Sequence, residues 1–181
     1  MSAAFVADAS VAVSWSIASQ SSALTDRLLD DVAAGGAIAV PPLWPYEVAN
    51  SLVFLLRRKR IQKDDYASAR SLLSKLSVSI DEDGPRLVWI QVADLALKHR
   101  LTVYDAAYLE LAVRKHLPLA SRDGDLNRAA LRCEFRLCSN AGPMPRQQSA
   151  ERSKYTGVGR TCGDSRVFAW YPKYAAIVAC P

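Results

Sequence analysis

Short apolar runs alternate with stretches of helical spacing from residue 3 to residue 137. Residues 3–7 (AAFVA) form the first run, which stops at Asp8, and the Ala-, Ser- and Val-rich segment after it predicts a helix to Ser19. Leu24, Leu28, Leu29 and Val32 fall on one helical face, Gly35-Gly36 ends them, and residues 37–40 (AIAV) predict a second strand. A helix is expected from about Leu43 to Arg60, with Val48, Leu52, Leu55 and Leu56 on one side. Its basic end, Arg57 to Arg60, suits the negative pole of a helix dipole. Asp64-Asp65 open another helix through Leu72, Leu73 and Leu76, and Val78 to Ile80 reads as a third strand. Residues 84–100 and 102–116 read as two amphipathic helices. A strand from Leu117 to Ser121, a turn over Arg122 to Asp125, a short helix to Arg132 and an edge strand at Phe135 to Leu137 complete the pattern.

Strands this short, apolar on both faces and separated by helices, predict an α/β domain with a parallel sheet flanked by helices on both faces. Such sheets hold their ligands at the carboxyl ends of the strands. Past Ser139 the period is lost. Residues 139–181 carry 6 basic and 2 acidic side chains, against 17 and 16 in residues 1–138, so most of the net charge of +5 belongs to the end of the chain. The expected organisation is therefore one domain over 1–138 and a basic, Gly- and Pro-containing tail over 139–181 that is not part of the fold. No CxxC pair exists among Cys133, Cys138, Cys162 and Cys180, and His99 and His116 lie well upstream, which argues against a structural zinc site. Asp8 interrupts any leader-like apolar run, and the uncharged stretch from Ala9 to Thr25 is too rich in Ser to span a bilayer. A cytoplasmic protein with reduced thiols and no membrane partner is the expectation.

The chemistry lies in four carboxylates. Asp8 follows the first strand, Glu47 opens the helix after the second, Asp105 opens the helix at 102, and Asp123 follows the fourth strand. All four points fall at one edge of a parallel sheet. Carboxylates gathered there repel one another unless a cation sits among them, and hard oxygen ligands are what Mg²⁺ takes. Each acid also has a capping reading: Asp8 and Asp123 as N-caps, Glu47 as a first-turn acid, Thr102 to Asp105 as a capping box. Asp125 is a second candidate beside Asp123. Asp81-Glu82-Asp83 before Gly84-Pro85 reads as a solvated turn, and Trp15, Trp44 and Trp89 read as core or dimer packing.

The strings Asp8-Ala-Ser-Val, Glu47-Val-Ala-Asn50, Tyr104-Asp105-Ala-Ala-Tyr108 and Leu119-Ala-Ser-Arg-Asp123, in that order, resemble the PIN-domain nucleases, most closely the VapC toxins of type II toxin-antitoxin operons. The resemblance covers residues 3–137. It implies a PIN-like parallel sheet of about five strands and a Mg²⁺- or Mn²⁺-dependent endoribonuclease, usually a homodimer inhibited by a VapB-type antitoxin. Carried over by position, Asp8, Glu47, Asp105 and Asp123 are the catalytic acids, with Asp8, Asp105 and Asp123 holding metal, Glu47 orienting or deprotonating water, and Ser10 and Asn50 in support. Arg114, Arg122 and Arg128 are candidate RNA-phosphate contacts. Apolar surface on the helix from Leu43 to Leu56 is a candidate groove for an antitoxin helix. Two other functions stay open: a phosphatase or phosphotransferase of HAD type, disfavoured by Ser10 where a second Asp would stand, and a non-catalytic binding module. This chain has Ser121-Arg122 where the family commonly has Thr-Leu, and the family has no counterpart of the tail.

Overall fold

The computed structural model describes residues 3–133, 135, 137 and 138; the expected tail lies outside them. Its four strands, β1 (Ala3–Ala7), β2 (Ala37–Val40), β3 (Val78–Ile80) and β4 (Leu119–Ala120), form a parallel sheet in the order β3-β2-β1-β4. β1 lies inside the sheet, with Val6 paired to Ala39 on one side and to Leu119 on the other. Phe5, Val6, Ile38, Val40 and Leu119 are fully buried. Burial on both faces explains why these runs are continuously apolar instead of alternating.

Helices flank the sheet: α1 (Ala9–Ser16), α2 (Ala23–Ala33), α3 (Trp44–Arg57), α4 (Lys63–Leu73), α5 (Gly84–Leu87), α6 (Ala93–His99), α7 (Val103–Lys115) and α8 (Gly124–Arg132). α7 carries the most buried stretch, Ala106 to Ala112, and packs on β1, β2 and β4. A single 3₁₀ turn, Ala18–Gln20, links α1 to α2.

Among the described residues the sheet has four strands, and Leu137, in the expected edge strand, adds a parallel bridge to Leu119. Two local expectations change. The helix expected over 84–100 is interrupted by a π-helical turn, Val88–Val92, between α5 and α6. That turn buries Val92 and turns Trp89 and Ile90 outward, 85% and 65% exposed, so Trp89 does not pack in the core of its own chain. Trp15 and Trp44 are buried as expected, the Trp15 indole N–H donating to the Thr25 carbonyl at 2.7 Å.

Lys59, Arg100 and His116 close α3, α6 and α7 in the left-handed region, at φ of 54°, 56° and 54°. In each case the next residue reaches back to the carbonyl five positions earlier, Arg60 to Leu55, Leu101 to Ala96 and Leu117 to Ala112. This is the pattern that usually places Gly at the left-handed position. A side chain there costs about 1 kcal/mol. The exposed His116→Gly substitution is therefore expected to raise stability by about 1 kcal/mol in urea denaturation; a loss of similar size would mean that the imidazole itself holds the end of α7.

Candidate active site

At the carboxyl edge of the sheet, Asp8 leaves β1 and begins α1. It occupies the N-cap position, yet its side chain makes no capping bond. Instead its Oδ2 accepts the Ser10 hydroxyl at 2.6 Å and the Ser121 hydroxyl at 2.7 Å. Its backbone N–H continues the ladder to Ala120 at 2.9 Å. The residue is only 7% exposed. Among the described residues Oδ1 has no hydrogen-bond partner, and it is not one of the solvent-sealed atoms. A carboxylate so placed has one oxygen fixed and one turned toward solvent. The capping reading fails for Asp8 and a site reading fits it.

Ser121 also joins Asp8 to Asp123, because its hydroxyl accepts the Asp123 N–H at 2.9 Å while donating to Asp8. Asp123 does cap α8: its Oδ1 takes the N–H groups of Asp125 and Leu126 at 2.9 and 3.0 Å. Ser10 is bound on its other side by the Arg122 N–H at 3.0 Å.

Glu47, in the first turn of α3, comes to the same place through Tyr108 of α7. The fully buried Tyr108 hydroxyl donates to Glu47 Oε2 at 2.5 Å. Burial raises the phenol's pKa far above its ordinary value, and the negative charges of Glu47 and Asp8 raise it further, although a bond from the Ala9 N–H acts the other way. Tyr108 is therefore a permanent donor that senses both carboxylates. Asp105 stands three residues before it in the first turn of α7, its N–H donated to Thr102 Oγ1 at 2.7 Å, which is one half of the expected capping box. Asn50 lies one turn beyond Glu47 on α3 and is exposed. Among the described residues, no three His, Cys, Asp or Glu side chains converge into a ready metal cluster. The donors fit a hard divalent cation in kind, all being carboxylate oxygens with one of them on Asp8 open to solvent.

The structure sorts the basic candidates. Arg114 is bound to Glu110 at 2.7 Å and to Asp81 at 2.6 Å, with Asp83 at 3.6 Å. These carboxylates hold its guanidinium charged, raising its pKa against the opposing effect of burial. Asp81 is thus no solvated turn residue: with 5% of its side chain exposed it ends β3 against Arg114, because α7 brings that arginine across from another part of the chain. Arg128 is paired with the exposed Asp125. Arg122 stays clear of the ion pairs and donates to Gln20 Oε1 at 3.2 Å. Ser121 and Tyr108 are site residues that sequence reasoning gave no role, though both stand inside the quoted motifs.

A parallel sheet with a non-capping aspartate after its first strand, tied through Ser121 to the acid after its last strand, and with further acids in the first turns of α3 and α7, is the arrangement of a nuclease domain. The chain belongs to the PIN-domain family, whose pattern matches residues 5–131, and members of this family are typically metal-dependent nucleases. Its fold is similar to the crystal structure of PAE2754 from Pyrobaculum aerophilum, with a TM-score of 0.52 and 25% identity over 71% of this chain and 87% of that one. No curated protein sequence matches it. Among the described residues no helix is long and apolar enough to cross a membrane.

Two stability measurements follow from this geometry. In EDTA, Asp123→Ala should cost about 1 kcal/mol through loss of the α8 cap, whereas Asp8→Asn should be neutral or slightly stabilising, since it removes one of the two negative charges that act on the buried Tyr108 phenol. Equal losses in the two variants would return Asp8 to a structural role. Arg114→Ala should cost about 3 kcal/mol, because buried Glu110 loses its cation and buried Asp81 keeps only Lys115, at 3.9 Å; a urea midpoint unchanged from wild type would show that the cluster is dispensable.

Proposed function

We propose that this PIN domain is a Mg²⁺- or Mn²⁺-dependent endoribonuclease serving as the toxin of a type II toxin-antitoxin pair. The observation that carries the reading is Asp8, buried at the end of β1, held by two hydroxyls on one oxygen and open on the other. Asp8 and Asp123, joined by Ser121, would hold the cation together with Asp105. When bound, the ion supplies a Lewis acid that neutralises charge on the phosphoryl oxygens and acidifies water. Glu47, held by the Tyr108 hydroxyl, orients and deprotonates the attacking water. Ser10 and Ser121 keep Asp8 in one rotamer, and Arg122 stands beside them to meet a phosphate oxygen.

The toxin role, the VapB-type antitoxin, homodimer pairing and a cytoplasmic setting extend the resemblance of the four motifs. Apolar surface at Trp89, Ile90 and Leu97 supports a protein partner. Ser10, at the position where HAD-type phosphatases carry a second aspartate, donates to Asp8 here, which supports the nuclease over that alternative.

The test is to incubate the purified full chain with total cellular RNA in Mg²⁺, Mn²⁺ or EDTA and to map new ends. Cleavage in metal, loss in EDTA and a rate reduction on the order of a hundredfold or more in Asp8→Asn are expected. Absence of metal-dependent cleavage by the folded protein, free of any antitoxin, would leave the non-catalytic binding module as the better reading.

A further inference from the structure

At the C-terminal ends of α1 and α3, opposite the N-terminal ends that carry Asp8 and Glu47, lies a groove of about 560 Å³, between the 3₁₀ turn after α1 and the end of α3. Ile17, Ser19 and Gln20 line one wall, and Phe54, Arg58 and Arg60 the other. No acidic side chain lines it. Arg58 and Arg60 take part in none of the ion pairs of the described residues, in contrast to Arg86, Arg114 and Arg128, each of which faces a carboxylate. Left-handed Lys59 reverses the chain between them, so that both arginines reach the same groove. The Arg58 guanidinium lies 5.2 Å from the centre of the Phe54 ring, which orients it without neutralising it.

Named contacts link the groove to the site. Arg122 gives its backbone N–H to Ser10, the partner of Asp8, and its side chain reaches Gln20, which lines the groove. Arg122 stands at the site end of this chain of contacts, and Arg58 and Arg60 stand in the groove that Gln20 lines.

The geometry points to this groove as the seat of the RNA strand flanking the cleaved phosphate, with Arg58 and Arg60 binding backbone phosphates and Phe54 and Ile17 offering apolar contact to a nucleotide. This rests on the nuclease reading and names where its substrate lies. A phosphodiester strand matches the charge because guanidinium forks bind phosphate oxygens and release counterions on doing so.

The test measures binding and not cleavage. Full-length Asp8→Asn protein in EDTA is titrated with a labelled single-stranded RNA oligonucleotide across a salt series, with and without Arg58→Gln/Arg60→Gln. The double substitution should weaken binding about tenfold or more and reduce the slope of log affinity against log salt by about 1.4, two contacts' worth for a single strand. Arg58→Lys/Arg60→Lys should restore most of that slope, and Arg86→Gln, which removes an arginine of the paired class, should change neither quantity. An unchanged salt slope and affinity in the glutamine variant would overturn the assignment. So would a shift from dimer to monomer in sedimentation equilibrium with RNA affinity intact, which would make the groove an interface between copies of this chain. RNA binding sensitive to Arg58 and Arg60 in a protein that cleaves nothing would sink the nuclease reading and leave the groove standing.

Discussion

The two hydroxyl bonds converging on one oxygen of Asp8 are the constraint around which the carboxyl edge is arranged. Ser10 donates from the first turn of α1 and Ser121 from the end of β4, so the pair ties the exits of two neighbouring strands to a single buried charge. A buried carboxylate needs such donors to be tolerated at all. Once Ser121 has turned toward Asp8, its lone pairs receive the Asp123 N–H, and Asp123 is then set to begin α8. The order of these dependencies runs from a charge that must be satisfied to the helix that starts beside it.

Tyr108 plays the corresponding part on the other side. Its phenol is sealed beneath the acids and bonded to Glu47, so α7 is anchored to α3 across 61 positions of sequence. Neither hydroxyl network brings three carboxylates into contact; each places a neutral donor between negative groups. The edge is thereby charged, fixed in rotamer and partly open.

Much of this was legible in the sequence, and the boundary is physical. Runs such as AAFVA and AIAV, punctuated by Asp8 and by Pro41-Pro42, identify buried parallel strands because nothing else accommodates short apolar segments between helices. The four acids were placed at one edge by that topology alone. Pattern cannot show which partner a side chain finds across the fold. Asp81 reads as a turn residue until α7 delivers Arg114, and Arg114 reads as free until Asp81 and Glu110 take it. Trp89 reads as core because helical spacing is assumed to continue, and one π turn defeats that assumption. Ser121 carried a weak signal, as a hydroxyl directly before the fourth acid, and Tyr108 a weaker one, three residues after the third.

The acids that follow β3 have a further consequence at the scale of many molecules. β3 is an outer strand of the sheet, three residues long, with Ser79 and Ile80 exposed. An open strand edge bearing an exposed isoleucine is a template on which another chain can add. Here the template runs directly into Asp81, Glu82 and Asp83. A strand approaching from solvent would have to stack its own backbone beside that acidic run, and too few ladder bonds are on offer to offset the desolvation. Asp81 is turned in against Arg114, so Glu82 and Asp83 are the acids of this run that guard the outer edge against aggregation, a gatekeeping role that needs no partner and no chemistry.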